Sequence, residues 1–571
     1  MSKRPLAEHS VEAVPPSEPH DGPKRRRPKH HGGGGAPAPV AATAAPDVLK
    51  WGSKQPKPAD AEVASYLLTA GGELARRAQA RREGDAEDDE ARALREHMLK
   101  EITNGEASLA CHERASRVLQ GLIKHCEPQE LFPLFSRLKP YIGHLLYDKY
   151  ASHVLQDLLA VVAGFASDAA LVDLVDQLGG EVNKADEWWA LMHDAAGSHS
   201  ARALVACLHK LERVEQLDAL AKTLLKAPLS DLRGACKDVH AGPFVSVALG
   251  ALPSAHCEAI LAKLLSLDQQ QPAAFESVVA DTVASHLLDT SLAACTPAFR
   301  QRLFDARFRG HLQELALHPV ANYAVQRVLE HVEFDAAALD ELEPVFMDLV
   351  AGSHLGVLVA VVNASRTPSV CARVVRAIFV VSNGFVAALL SMRPSADDDV
   401  AGKQGKREVA VSIPGAELVG AMLAPHVPEA SRASVVEALA RLPRKALEHL
   451  CCDPFGGRQT VEVALQTGSQ AMVRQMCGAL ERSYATLAVD KFASHVVRKA
   501  FDAASPTGKR ILVRELVDAR DKVVHSKYGL ALAKHCGLDA FKRDPAAWEA
   551  ALSGKAKTRG AMEQWLAEDM A

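Results

Sequence analysis

The sequence predicts an all-α protein, an elongated array of about eleven helical repeats that follows a disordered basic N-terminal tail. Three observations lead to this prediction. The 571 residues are too many for one compact core of ordinary size, which leaves several domains or an elongated array of repeats. Hydrophobic residues make up 48% of the chain and aromatic residues 5%, a composition that favours helices over sheets. A twelve-residue pattern also recurs along most of the chain.

The charge is unevenly distributed and limits the possible functions. The formal net charge is -4, yet residues 1–35 carry seven Lys or Arg against four acidic residues, so the remainder is about -7. A uniformly basic nucleic-acid binder is therefore excluded, and any such function needs basic groups gathered on one face. The 11 cysteines include no CxxC pair and no zinc-like Cys and His spacing. We expect reduced thiols, no metal, no cofactor and no membrane span.

The N-terminal residues 1–60 have too few large apolar residues to fold and are expected to be disordered. They contain "PKRRRPKHH", which fits a nuclear import signal made of Lys24, Arg25, Arg26, Arg27 and Lys29. A polyanion-binding arm and a solubilising tail are the alternatives. Residues 61–100 are expected to form a helical lead-in with a charged, solvated helix.

The repeat array is predicted over residues 101–545, with a solvated insertion at about 392–410 and a C-terminal helical cap at 546–571. The clearest copies of the pattern begin at residues 112, 148, 281, 318 and 490. Weaker copies begin at residues 194, 238, 353, 412, 453 and 526. Their spacing of 35 residues or more suits a helical repeat with loops of varied length.

Each copy has the features of one helix of such a repeat. Most begin with Asp or Ser, whose oxygen can accept hydrogen bonds from the free amides of a first helical turn. The fourth position is Ala or Gly in every copy, as expected where another helix approaches closely. At about 100° per residue, Val154, Leu155 and Leu158 form the buried stripe of the copy at 148, and Ser152 and Gln156 lie together on the opposite side. Stacked copies should therefore present columns of polar side chains.

This pattern resembles the Pumilio (PUF) repeat family, in which the second helix of each repeat hydrogen-bonds a base edge with its first and fifth signature residues and stacks on bases with its second. Asn322, Tyr323 and Gln326 resemble the set that reads uracil. Two sets resemble the adenine-reading type: Ser116, Arg117 and Gln120, and Ser152, His153 and Gln156. Amide groups offer both a donor and an acceptor to a base, and stacking contributes roughly 1–3 kcal/mol per base.

Other copies depart from the family pattern. Two keep a stacking histidine but have Arg in place of Gln, which suits a base or a phosphate: Ser198, His199 and Arg202, and Ser494, His495 and Arg498. One has a carboxylate at that place, in the set Ser285, His286 and Asp289, and the copy at 453 contributes Arg458 as a further candidate RNA contact. Three sets have essentially nothing with which to read a base: Gly242, Pro243 and Ser246; Val357, Leu358 and Val361; and Ala416, Glu417 and Gly420. A continuous one-base-per-repeat code is therefore not expected.

Eleven irregular copies that span most of the chain resemble the nucleolar protein 9 branch of the family. The supporting stretches are "NGEASLACHERASRVLQGLIKH", "FRGHLQELALHPVANYAVQRVLEHV" and "SKYGLALAKHCGLDAFKRDPAAWEA". The resemblance implies a curved α-solenoid of about eleven Pumilio-type three-helix repeats. It also implies a nuclear, nucleolar protein that binds the small-subunit ribosomal RNA precursor and takes part in its processing without catalysis. We expect a monomer, with proteins of the pre-ribosomal particle as further partners.

Three alternatives remain open at the level of sequence. One is the divergent Pumilio homologue three branch, which binds nucleic acid with little sequence preference. Another is a HEAT- or armadillo-like scaffold whose polar face binds protein, which the acidic net charge and the degenerate copies favour. An enzyme is disfavoured because the sequence has no phosphate-cradling glycine motif and no nucleophile elbow.

Overall fold

The structure is a computed structural model that describes residues 52, 54–80, 89–184, 186–267, 272–382, 386–391 and 411–552. The chain divides into residues 1–47 and 48–571, and all described residues belong to the second unit. Most of the predicted tail, with its basic cluster, lies outside the described residues, as do the predicted insertion at 392–410 and residues 553–571 of the predicted cap. Among the described residues there is no strand, and none of their helices combines the length and apolarity needed to cross a membrane.

Thirty-five α-helices lie in the described part of the chain, two before the repeat array and three in each of eleven repeats. Their bounds are α1 Ala61–Ala80, α2 Asp89–Glu101, α3 Glu106–Ala110, α4 Ala115–Ile123, α5 Pro128–Leu138, α6 Ile142–Leu145, α7 Ala151–Val162, α8 Ala169–Lys184, α9 Trp188–His193, α10 Gly197–Lys210, α11 Val214–Lys226, α12 Leu229–Lys237, α13 Ala241–Ala251, α14 Ser254–Leu264, α15 Pro272–Val279, α16 Leu287–Ala294, α17 Pro297–Leu303, α18 Leu312–Leu317, α19 Ala321–Leu329, α20 Ala336–Leu342, α21 Phe346–Ala351, α22 Leu355–Ala364, α23 Pro368–Val381, α24 Val386–Leu389, α25 Ile413–Met422, α26 Glu429–Ala440, α27 Arg444–Cys452, α28 Val463–Thr467, α29 Gln470–Leu480, α30 Tyr484–Leu487, α31 Ala493–Ala503, α32 Pro506–Asp518, α33 Arg520–His525, α34 Lys527–Cys536 and α35 Leu538–Arg543. Short 3₁₀ turns lie at Lys139–Tyr141, Ala284–His286 and Glu343–Val345, and π-helical turns at Phe304–Phe308 and Gly457–Glu462.

The second helices of the repeats form one continuous row. They are α4, α7, α10, α13, α16, α19, α22, α25, α28 with the π-helical turn before it, α31 and α34, and each packs against the next in this order. Helix α1 extends the row by packing on α4. Helices α1 and α4 lie close together at Gly71, where an added Cβ would lie 2.3 Å from Cγ1 of Val118. The predicted all-α solenoid of eleven three-helix repeats is confirmed.

The first turn of the second helix is capped by a side chain in ten of the eleven described repeats. In repeat 2, Oδ1 of Asp148 accepts hydrogen bonds from the amides of Tyr150 at 2.9 Å and Ala151 at 2.8 Å. The same pair of bonds is made by Asp194, Asp238, Asp281, Asp453 and Asp490. Ser412 and Ser526 use their hydroxyl oxygens, as expected. In repeats 1 and 6 the acceptor is Nδ1 of His112 and His318, which the sequence pattern did not predict.

In repeats 3 and 11 the glycine three residues after the cap lies directly against the first helix of its own repeat. An added Cβ would lie 2.8 Å from the carbonyl oxygen of Leu191 at Gly197, and 2.2 Å from that of Val523 at Gly529. Where the helices are slightly further apart, alanine is accommodated with no exposed surface, as at Ala151. Small residues and capping side chains together fix where each second helix begins.

We expect Asp490→Ala to lower the free energy of unfolding by about 1 kcal/mol, because two amides at the start of α31 lose their acceptor. Chemical denaturation should show this loss, and Asp490→Ser, which keeps an oxygen acceptor, should recover most of it. Asp518→Ala is the matched control because Asp518 is exposed at the end of α32. An equal loss in the control would contradict the capping role.

Candidate nucleic-acid interface

Burial follows the same order along most of the second helices. In α7, Ala151 and Ser152 are buried, His153 is exposed, and Gln156 is half-buried. We call the strip formed by the second and fifth signature residues of the row the polar face. In seven repeats the second signature residue is exposed and carries a ring or a planar guanidinium group. These residues are Arg117, His153, His199, His286, Tyr323, Arg458 and His495.

The first-position serines are less accessible than the sequence suggested. Ser116, Ser152, Ser198, Ser285 and Ser494 are all at least 92% buried. Four of these hydroxyls donate hydrogen bonds to backbone carbonyls three residues earlier, at 3.2–3.5 Å. Such a hydroxyl keeps only its lone pairs for another partner. The exposed second and fifth residues therefore provide most of the surface that a ligand can reach.

In repeat 6, Asn322, Tyr323 and Gln326 have different structural roles. The side-chain nitrogen of Asn322 donates to the carbonyls of His318 and Pro319, and its oxygen accepts from Nε2 of Gln326 at 2.9 Å. Asn322 is only 3% exposed, whereas Tyr323 is 58% exposed. The arrangement makes Asn322 the residue that orients Gln326, while Gln326 and Tyr323 face outward.

In repeats 2 and 3 the exposed histidines are neighbours. The rings of His153 and His199 have centroids 5.9 Å apart and are tilted by 49°. Gln156 lies 3.2 Å from Nδ1 of His153, and Arg202 lies 2.7 Å from Nδ1 of His199. A single aromatic pair already takes up about 4.5–7 Å between centroids, so a base can enter between these rings only if one of them moves.

The His199 ring is held in its neutral form. Partial burial, followed by the positive charge of Arg202, lowers the pKa of His199 below its usual value. The neutral ring keeps one nitrogen as an acceptor for Arg202. Repeat 3 thus presents a neutral plane for stacking beside a fixed positive charge.

The polar residues of repeats 4 and 5 are engaged within the protein. The Asp289 carboxylate pairs with His286 at 2.9 Å and with Arg327 of repeat 6 at 3.1 Å. Ser246 and Thr290 join the two repeats through their hydroxyls, which are 3.1 Å apart. These contacts stabilise the junction and leave His286 as the main exposed group.

The predicted alignment of repeat 7 is wrong by two residues. Val357, Leu358 and Val361 are fully buried, so they belong to the core rather than to the polar face. Helix α22 begins at Leu355, after a turn in which Ser353 has a left-handed backbone with φ of 62°. This start places Gly356 at the second signature position, where an added Cβ would lie 2.5 Å from Oε1 of Gln326. The glycine makes room for Gln326 and offers no plane for stacking.

Repeat 9 contains one extra residue, which the π-helical turn Gly457–Glu462 accommodates. The extra turn makes Glu462, rather than the buried Val461, the fifth residue of this repeat's polar face. The bulged backbone approaches the preceding repeat at Gly420, where an added Cβ would lie 2.6 Å from the carbonyl oxygen of Gln459. Glu462 was not predicted from the sequence as a residue of the polar face. The pairs Thr460-Val461 and Ala464-Leu465 are buried and are spaced as in the other copies, but each stands one residue later, and this delay was the sign of the inserted residue.

Glu462 lines a cavity between repeats 9 and 10. The cavity has a volume of about 330 Å³, and its lining includes Arg458, Glu462, Phe492 and His495. Three planar groups, one guanidinium and two aromatic rings, and the carboxylate of Glu462 therefore surround one space on the polar face. Such a space can hold a flat ring and accept hydrogen bonds from its edge.

The chain matches the family model described as the NOP9-like PUF repeat domain over residues 104–231 and 214–531. The chain belongs to this family. A mouse protein named nucleolar protein 9 is 23% identical over 84% of this chain and 87% of its own length. The human protein of that name is 26% identical over 50% of this chain, and the match spans about half of the human protein's length. The family assignment confirms the Pumilio-repeat, RNA-binding class and the nuclear, nucleolar localisation expected from the sequence.

Solved structures support the NOP9-like PUF fold. The structure of APUM23 with GGAAUUGACGG and a deleted insert region has a TM-score of 0.69, covers 87% of this chain and all of that one, and is 19% identical. The full APUM23 complex with GGAAUUGACGG has a TM-score of 0.68 and is 18% identical. At this identity the similarity establishes the fold. A HEAT- or armadillo-like architecture is therefore no longer an alternative.

In this NOP9-like PUF domain, we expect Gly420→Ala to lower the free energy of unfolding by about 1–3 kcal/mol, because the new methyl group collides with the π-helical turn. Gly478→Ala in α29 is the matched control, since nothing lies within 4 Å of its added Cβ. That control should be neutral or stabilising by up to ~1 kcal/mol. Urea denaturation distinguishes them, and equal effects would refute the close contact.

Proposed function

We propose that this chain binds the small-subunit ribosomal RNA precursor in the nucleolus and takes part in its processing without catalysing a reaction. The proposal rests on one observation above all, the row of exposed planar side chains on stacked second helices of a NOP9-like PUF domain. Planar rings and guanidinium groups stack on the faces of unpaired bases, which every base presents. The ligand is therefore single-stranded RNA, including single-stranded segments of a folded precursor.

The polar face acts in two ways on such a strand. Gln120, Gln156 and Gln326 read base edges beside their stacking neighbours, because an amide offers one donor and one acceptor group. Arg202 and Arg498 hold bases or phosphates at places where no glutamine is present. By occupying the strand, the protein keeps a segment of precursor from other factors until maturation proceeds.

Base reading is interrupted between repeats 6 and 9. The polar face there carries Gly356 and Val359 in repeat 7 and Glu417 and Gly420 in repeat 8, and among these four only Glu417 has a side chain that can form hydrogen bonds. Two separate stretches of RNA are thus read by side chains, and the RNA between them is selected by shape and backbone. This division favours a structured precursor over a long linear motif.

Family membership and the names of the relatives support the ribosomal assignment. The relatives are named nucleolar protein 9, and the APUM23 complexes hold RNA. Proteins of the pre-ribosomal particle remain predicted partners, and the basic cluster at residues 24–29 remains a predicted import signal. A monomer remains the predicted state.

We expect Tyr323→Ala to weaken binding to a small-subunit precursor transcript by about 5- to 150-fold, the equivalent of one lost stacking contact. Phe132→Ala is the matched control, because Phe132 is an exposed aromatic residue on the third helix α5, 40% exposed against 58% for Tyr323. A filter-binding titration at two salt concentrations measures both variants. No affinity at low salt would sink the RNA proposal. Equal affinity for an unrelated transcript would favour the Pumilio homologue three alternative.

We expect Glu462 to favour guanine in the cavity of repeat 9. An ionised carboxylate only accepts hydrogen bonds, and guanine presents two adjacent N-H donors on its Watson-Crick edge. A good bidentate contact discriminates against other bases by about 1–3 kcal/mol. Selection from a randomised RNA library should show a guanine preference at one position that Glu462→Gln removes. Glu417→Gln, on the same face in repeat 8, should leave it intact, and a preference that persists in Glu462→Gln would contradict the assignment.

A further inference from the structure

Three side chains of metal-binding type meet at the junction of repeats 1 and 2. Cys111 lies in the turn between α3 and α4, His144 lies in α6, and Asp148 caps α7. The thiol sulfur, one ring nitrogen and one carboxylate oxygen all lie within 4.8 Å of one another. All three residues are partly buried, so the group is reachable by an ion but shielded from bulk solvent on one side.

The repeat architecture creates this meeting point. At two junctions the residue before a cap lies near the cap of the next repeat: Cys111 lies near Asp148, and Cys452 lies near Asp490. Four residues before the cap, the first helix adds one more side chain. That side chain is His144 in repeat 2 and Thr486 in repeat 10. The repeat 9 and 10 junction is therefore a natural copy of the group with one ligand missing.

The three side chains already lie in contact or close to it. Oδ1 of Asp148 is held by the amides of Tyr150 and Ala151, which orients the carboxylate, and the carboxylate also accepts a hydrogen bond from the Cys111 thiol, whose proton a bound cation would replace. The His144 ring makes no hydrogen bond within the described part of the chain.

The chemistry of the group matches a zinc site. Thiolate, imidazole and carboxylate are all zinc ligands, with bond lengths of roughly 2.0–2.3 Å, and three protein ligands leave a fourth position for water. Ligands of a tetrahedral ion are then roughly 3.3–3.7 Å apart, which small side-chain rotations reach from the present positions. The sequence spacing gave no sign of a metal because the ligands come from two repeats.

We propose that Cys111, His144 and Asp148 bind a zinc ion that ties repeat 1 to repeat 2. The ion links the turn before α4 to α6 and to the capped start of α7. These are the elements that carry Arg117 with Gln120 and His153 with Gln156. The ion holds these elements together through three protein ligands, and the proposal stands whether or not the polar face binds RNA.

Titration of the chelator-treated full chain with Co²⁺ tests the site, because cobalt reports its ligands by absorption. We expect thiolate-to-cobalt charge transfer that saturates at one equivalent and is reversed by one equivalent of Zn²⁺. Cys111→Ser should abolish the charge transfer. His144→Thr, which copies repeat 10, should weaken Co²⁺ binding more than 10-fold. Cys452→Ser is the matched control and should behave as the unmodified chain.

Folding is followed in the same samples. Thermal unfolding in EDTA should be the same for His144→Thr and the unmodified chain. Addition of Zn²⁺ should raise the melting temperature of the unmodified chain but not that of His144→Thr. Charge transfer that is absent from the unmodified chain, that survives in Cys111→Ser or that is lost equally in Cys452→Ser would overturn the proposal. An His144→Thr variant that binds Co²⁺ as tightly as the unmodified chain would do so as well.

Discussion

The rest of the structure depends on one constraint, the hydrogen bonds that a capping side chain accepts from free amides at the start of the second helix in ten of the eleven described repeats. They fix the residue at which the helix begins, and the small residue that follows allows the first helix to lie against it. Once the start is fixed, the helical period determines which side chains are buried and which are exposed. A cap therefore sets the register of the polar face in its own repeat.

The same constraint explains why the repeats differ in what they can contact. Where the cap and the small residue are in place, the exposed second residue is a ring or a guanidinium group in most repeats. In repeat 7 the cap is absent from the described turn, α22 starts at Leu355, and a glycine occupies the stacking position. In repeat 9 the cap is in place, but one inserted residue moves the fifth position to Glu462. Small changes in register thus convert a base-reading repeat into a spacer, or give it a different acceptor.

Local features of the chain could be predicted from sequence, and features that depend on a neighbouring repeat could not. The row of eleven second helices, the aspartate caps and the exposure of His153 and Tyr323 follow from short-range pattern and helical geometry. The π-helical turn of repeat 9 depends on the absence of a side chain at Gly420, which lies in another repeat. The burial of Ser152 and Asn322 and the meeting of Cys111 with His144 likewise arise from packing between helices. The caps at His112 and His318 required knowing that an imidazole nitrogen faces the amides.

In the proposed function, a polar face with two stretches of base-reading residues selects a ribosomal RNA precursor. Crosslinking of the protein to RNA in cells, followed by sequencing of the bound fragments, tests this most directly. We predict fragments concentrated in the small-subunit precursor, with two crosslinked segments separated by a gap. Fragments spread over the untranslated regions of messenger RNAs, with no enrichment of pre-ribosomal sequence, would contradict the account.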